Sequence, residues 1–205
     1  MPLNFSLDPA RSAVLSMDLQ KAIVSLYARE PEAFLRRVAR VLDCARRRKM
    51  RVIHVRVGFR PSLPEIGERN VLFASVKNSP QHRQIFEGPE GEIHPAVGPH
   101  GDDVVVVKHR VSAFTGTDLE MILRANGIET LVLWGIATSG VVLSTLLDAF
   151  DADYRLAVIK DCCADRDPEL HACLVDKFYP HRATVLSADE FLEAVPAVPG
   201  GGERG

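Results

Sequence analysis

No stretch of this 205-residue chain approaches the roughly 20 consecutive apolar residues that a bilayer crossing requires, so no membrane partner is expected. A strong charge excess is missing too. The balance of 25 Lys and Arg against 27 Asp and Glu gives a net charge of -2, which removes the electrostatic case for a nucleic-acid partner. Residues 1–11 have no basic region followed by an apolar one, so no signal peptide is visible and a cytoplasmic location is the expectation. Cys44, Cys162, Cys163 and Cys173 form no C-x-x-C pair and no zinc-ligand spacing, which reads as buried thiols in a reducing compartment. The one basic run, from Arg46 through Arg47 and Arg48 to Lys49, closes a helical pattern and reads as a solvated helix end, where cations suit the helix dipole. No internal repeat is present.

What the chain does have is a series of β-branched apolar runs bounded by turn residues: 13–17, 52–57, 104–107, 130–134, 156–159 and 183–186. Most are continuous rather than alternating, as in strands buried on both faces of a parallel sheet. Helical patterns lie between them. Residues 31–49 carry Phe34, Leu35, Val38, Val41 and Leu42 on one stripe, 117–126 stops at Asn126-Gly127, and 138–150 repeats Val142, Leu143, Leu146, Leu147 and Phe150. Residues 168–178 start behind Asp167, an N-cap with proline at the first helical position. Strand alternating with helix predicts an α/β fold, a Rossmann-like three-layer sandwich with a mainly parallel sheet of about six strands. One domain is expected over 1–195, with a disordered C-terminal tail over 196–205. The segment 58–103, rich in Pro, Gly and polar residues, is too long for a plain connection and reads as a cover or as short helices of its own.

Ligands bind such sheets at the carboxyl ends of the strands. Asp18 follows the run 13–17 and Lys108 follows 104–107; the strand 130–134 runs into Gly135-Ile136-Ala137-Thr138-Ser139-Gly140, a turn that opens a helix. The N–H groups at such a helix start suit an anion or a developing oxyanion. Each feature also has a plain reading: Asp18 as a helix cap, Lys108 as a surface lysine, the turn as close packing, since it is neither G-x-G-x-x-G nor a P-loop. Their convergence on one crevice favours a small-molecule site. Phe114, Trp134, His54 and Arg60 are further candidates for its walls, although Phe and Trp also suit a core. Arg60, Arg69, Lys77 and Arg83 in the 58–103 segment are candidates to meet a carboxylate substrate.

Read together, Lys108-His109-Arg110-Val111-Ser112-Ala113-Phe114, Gly116-Thr117-Asp118-Leu119, Gly135-Ile136-Ala137-Thr138, Ser144-Thr145, Asp148-Ala149 and the block from Asp161-Cys162-Cys163 to Asp167-Pro168 resemble the isochorismatase-like hydrolase superfamily. The resemblance runs from about residue 13 to 186. It implies a Rossmann-like domain, usually in a homo-oligomer (dimer or tetramer), with an Asp–Lys–Cys site that acts on a small-molecule substrate. The family's Asp maps to Asp18 and its Lys to Lys108. The nucleophilic Cys of its cysteine-dependent members maps to Val141, so the resemblance implies a member lacking that cysteine; Cys162 and Cys163 match a later block where cysteine is commonly structural.

By the same resemblance, backbone N–H groups at Ala137 and Val141 form the oxyanion or anion site, Phe114, Thr138 and Ser139 are possible pocket residues, and a cis peptide falls at Ile136-Ala137. Thr138 and Ser139 also suit helix capping. Valine cannot attack a carbonyl. Some superfamily members work without the cysteine, cleaving a vinyl ether by protonating its carbon from the Asp, and that chemistry needs only a sheltered proton donor. The stretch His54-Val55-Arg56-Val57-Gly58-Phe59-Arg60 lacks the family's metal-binding cluster, so no metal and no cofactor are expected. The functional expectation is therefore a hydrolase of a small molecule with an Asp/Lys site. Its alternative is a catalytically inactive relative that binds a metabolite or protein partner.

Overall fold

A computed structural model describes residues 7–195; the tail expected at 196–205 lies outside the described residues. Six strands, β1 (Ser12–Met17), β2 (Arg51–Val57), β3 (Val104–Lys108), β4 (Thr130–Gly135), β5 (Arg155–Ile159) and β6 (Thr184–Leu186), form one sheet in the order β3-β2-β1-β4-β5-β6. Every neighbouring pair is parallel. All six residues of β1 and of β4 are buried, so helices cover the sheet centre on both faces, the three-layer arrangement that continuous apolar strands require. The chain winds outward from β1 to β3, then crosses back to β4 on the other side of β1. That reversal opens a crevice above the carboxyl ends of β1 and β4.

β3 departs from the expectation of two-sided burial. It is the sheet edge, and Val105 and Val107 are 43% and 45% exposed on the same face. A strand of four valines reads as central in sequence, but among the described residues nothing covers this side of it.

Helix α1 (Lys21–Tyr27) follows β1, and α2 (Pro31–Arg47) buries the stripe from Phe34 to Ala45 against the core. The basic end of α2 is not simply solvated. Arg46 Nη2 lies 2.6 Å from Asp103 Oδ2, and the same carboxylate oxygen lies 3.1 Å from Nε2 of His54, which is fully buried. His54 is thus a core residue bound to the start of β3.

Segment 58–103 folds into α3 (Val71–Asn78), α4 (Pro80–Gln84) and short 3-10 turns. Asn70 caps α3 through the Phe73 N–H, and Ser79 caps α4, with Pro80 at the first helical position. An edge-on aromatic cluster of Phe59 with Phe73 (5.6 Å) and Phe86 (5.7 Å) fastens this pair to the end of β2.

Helix α5 (Leu119–Ala125) leads to β4. The helix expected over 138–150 begins as a wide π-helical turn, Thr138–Val142, because Gly140 has non-helical angles (φ -103°, ψ -105°); α6 proper is Leu143–Asp151. Helix α7 (Pro168–Cys173) carries the Asp167 cap on the N–H groups of Glu169 and Leu170, and α8 (Ala188–Ala194) is the last described helix, behind a Ser187–Glu190 capping box. Among the described residues, no helix is long and apolar enough to cross a membrane.

Candidate functional site

The crevice is built from three strand ends. Asp18, the residue after β1, has a left-handed backbone (φ 55°), a conformation Asp tolerates better than most side chains. Lys108 closes β3 and reaches past β2 to place Nζ 2.8 Å from Asp18 Oδ2; both side chains are more than nine-tenths buried. Lys108 Nζ also donates to the Arg110 carbonyl at 3.0 Å. Burial pushes the Asp18 carboxyl above the usual carboxylate range, and the Lys108 ammonium pulls it part of the way back. Lys108 fixes Asp18 Oδ2, while Asp18 Oδ1 is buried without a hydrogen-bond partner among the described residues.

Gln20 holds this corner together. It is fully buried, its Oε1 accepts from the Val57 N–H (2.9 Å), and its Nε2 donates to the carbonyls of Val57 (3.0 Å) and Gly91 (2.7 Å). One amide thereby ties the loop after β1 to the end of β2 and to the cover.

The third part is the turn after β4. Gly135 is obligatory there: φ is +153°, and a Cβ would stand 2.2 Å from the Met17 carbonyl oxygen of the adjacent strand. The Ile136–Ala137 peptide is cis. The segment 160–181 then clamps the turn. Thr138 N–H donates to the Ala164 carbonyl (2.9 Å), Thr138 Oγ1 lies 2.8 Å from His171 Nδ1, and the Tyr179 hydroxyl donates to the Thr138 carbonyl (2.7 Å). Asp165 Oδ2 accepts from both the N–H (2.8 Å) and the hydroxyl (2.7 Å) of Ser139. Burial holds the His171 imidazole below the usual histidine range.

Asp18, Lys108, Ala137 and Val141 line one cavity of about 270 Å3. Ile23 and Tyr27 of α1, and Phe73, Val76 and Ile85 of the cover, supply much of its apolar wall. The other residues singled out from the sequence lie elsewhere. Thr138 and Ser139 face the clamp; Phe114 packs on Tyr154 (6.2 Å between ring centroids); Trp134 and His54 belong to the core. Arg60 pairs with Glu65 at 2.5 Å and Lys77 with Glu68 at 3.3 Å, and none of the cover's four cations lines the cavity. The arginine that does so is Arg166, which sequence reasoning passed over because it sits among acidic neighbours in a polar loop.

Cys162 and Cys163 are buried away from this cavity. Burial raises both thiols, Cys163 to about 12, so neither presents a thiolate near neutral pH. Among the described residues, no three His, Cys, Asp or Glu side chains gather as a metal site needs.

A model of the isochorismatase domain matches residues 12–190. The chain is 39% identical over 103 residues to an uncharacterised isochorismatase family protein of Escherichia coli O157:H7, covering 50% of this chain and 55% of that protein's length. It is 30% identical over 166 residues to the maleamate amidohydrolase of Pseudomonas putida, covering 78% of this chain and 76% of the relative. Among solved structures, an isochorismatase family protein from Burkholderia thailandensis superposes with a TM-score of 0.78 at 29% identity, covering 93% of this chain and 97% of the other.

Proposed function

We propose, since this chain belongs to the isochorismatase family, that it hydrolyses a small molecule at the Asp18–Lys108 pair, with water in place of a cysteine nucleophile. The observation that carries this reading is the buried pair at 2.8 Å opening onto a cavity whose turn-side wall holds Val141. Val141 takes the family's nucleophile position, and a side chain of hydrocarbon forms no acyl intermediate.

Asp18 moves the proton. For an amide or carbamate, its carboxylate takes a proton from water as the water oxygen attacks the carbonyl, then returns it to the departing nitrogen. Lys108 and the N–H groups around Ala137 and Val141 face the charge that develops on the carbonyl oxygen. For a vinyl ether, the carboxylic acid protonates the enol carbon, water adds to the resulting cation, and Asp18 recovers a proton as the hemiketal breaks into ketone and alcohol. The burial that raises the Asp18 carboxyl supports the acid role. No step passes through a metal or cofactor.

A second reading, a non-catalytic relative that binds a metabolite or protein partner, is favoured by Val141 alone. A panel of amides, carbamates and vinyl ethers separates the two. The hydrolase reading expects turnover of at least one member, with no product burst and no mass-shifted protein on rapid quenching. A covalent adduct overturns the water-nucleophile mechanism, and no turnover across the panel favours the second reading.

A further inference from the structure

Two features of the cavity remain unused by that chemistry: the composition of its wall and the arginine at its edge. The wall is built mainly by α1 and the cover, and it is apolar. Leu26 and Leu72 line the cavity while remaining 44% and 61% exposed, an arrangement that costs free energy unless an apolar group covers them. The cover adds Phe86, and His82 is the one titratable side chain it brings.

Among the described residues, Arg166 is the only cation besides Lys108 that lines the cavity with a permanent charge. Its guanidinium stacks 4.7 Å from the centroid of the Tyr27 ring, another wall residue, and no carboxylate pairs with it among the described residues. Its acidic neighbours do not line the cavity: Asp165 Oδ2 accepts from Ser139, and Asp167 Oδ1 accepts from the first N–H groups of α7. Asp18 is already balanced by Lys108. Among the described residues, the cavity lining therefore carries two permanent cations, Lys108 and Arg166, against the single carboxylate of Asp18, beside an apolar surface.

We infer that the substrate is an amphiphilic monoanion: an apolar body, such as an aryl or branched alkyl group, packs on Leu26, Leu72 and Phe86, and a carboxylate-like group meets Arg166. This rests on the hydrolase reading for the identity of the molecule as substrate, but its test needs no turnover. The cavity's volume, about 270 Å3, suits a small molecule.

Calorimetric titration of the full chain with benzoate, benzamide and maleate reads the wall and the charge separately. Benzoate is expected to bind about tenfold more tightly than either benzamide or maleate. Arg166→Gln removes the preference for benzoate over benzamide and leaves benzamide binding unchanged; Arg166→Lys restores part of it. Leu72→Asn weakens benzoate and benzamide together by about tenfold. Binding is read without turnover, so a failure of the hydrolase chemistry does not disturb this readout. Maleate binding as tightly as benzoate, a benzoate preference that survives Arg166→Gln, or no binding of any of the three overturns the inference.

Discussion

Lys108 Nζ lies 2.8 Å from Asp18 Oδ2 even though their strands, β3 and β1, are separated by β2. The contact exists because both residues stand at carboxyl ends of parallel strands, where side chains turn over the sheet edge toward the switch point. Two opposite charges buried together stabilise each other only while both are present.

Removing the cation alone is therefore costly. Lys108→Met is expected to lose about 3–5 kcal/mol at pH 8, where the abandoned Asp18 either stays charged in a buried site or takes up a proton against the solution pH. At pH 5 the loss is smaller, because a carboxyl raised above its unfolded range takes up a proton in the folded state as the pH falls. Urea denaturation at both pH values checks this, and adding Asp18→Asn should recover most of the stability. Equal losses at both pH values would remove the charge argument.

Gln20 makes three hydrogen bonds while fully buried, so its loss strands the Val57 N–H and two carbonyls. Gln20→Ala is expected to cost about 2–3 kcal/mol. Hydrogen exchange should show faster opening of α3 and α4 than of β5, since the amide links the cover to β2. Uniform acceleration over the whole chain would show that Gln20 serves the core and not the cover.

Burial holds His54 below the usual histidine range, and its bond to Asp103 only partly offsets this. The unfolded chain then binds the proton first, so His54 contributes stability that is complete above the unfolded value near 6.5 and is lost as the pH falls through the folded value. His94 and His171 shift in the same direction through burial, while Asp18 acts in the opposite sense. The difference in denaturation midpoint between wild type and His54→Gln isolates the residue. That difference should shrink between pH 7.5 and 5.5; a constant difference would contradict the assignment.

Much of this architecture is legible in sequence. The β-branched runs mark all six strands to within a residue or two because burial of most strand positions leaves few polar interruptions, and Asp18 and Lys108 stand out as the first charged residues after their runs. Three features were not legible. Helix α1 has seven residues and no side-chain cap, so neither its period nor its start signals it. The edge position of β3 depends on the order of strands, which a run of valines does not encode. Arg166 and Gln20 acquire their roles from partners far along the chain, Tyr27 in one case and Gly91 in the other. The break at Gly140 illustrates a fourth limit, since a continuous helical period across 138–150 conceals a local departure from helical angles.

The place of Val141 is open to a constructive test. Val141→Cys puts a thiol on the cavity wall with Asp18 and Lys108, where the existing site can activate it. The variant is expected to gain amide hydrolysis of about tenfold or more over wild type. Peptide mapping should find iodoacetamide on residue 141 in preference to the buried Cys162 and Cys163. A folded variant with neither change would mean that Val141 does not stand where a nucleophile can work.

The central claim is that Asp18 carries the proton in a hydrolysis without a protein nucleophile, and the most direct measurement is kcat/KM of wild type and Asp18→Asn on whichever panel substrate is turned over. Asparagine keeps the size of the side chain but can neither give nor take the proton. The account predicts a fall of about 10²–10⁴-fold with thermal stability retained. An Asp18→Asn protein within twofold of wild type would contradict it.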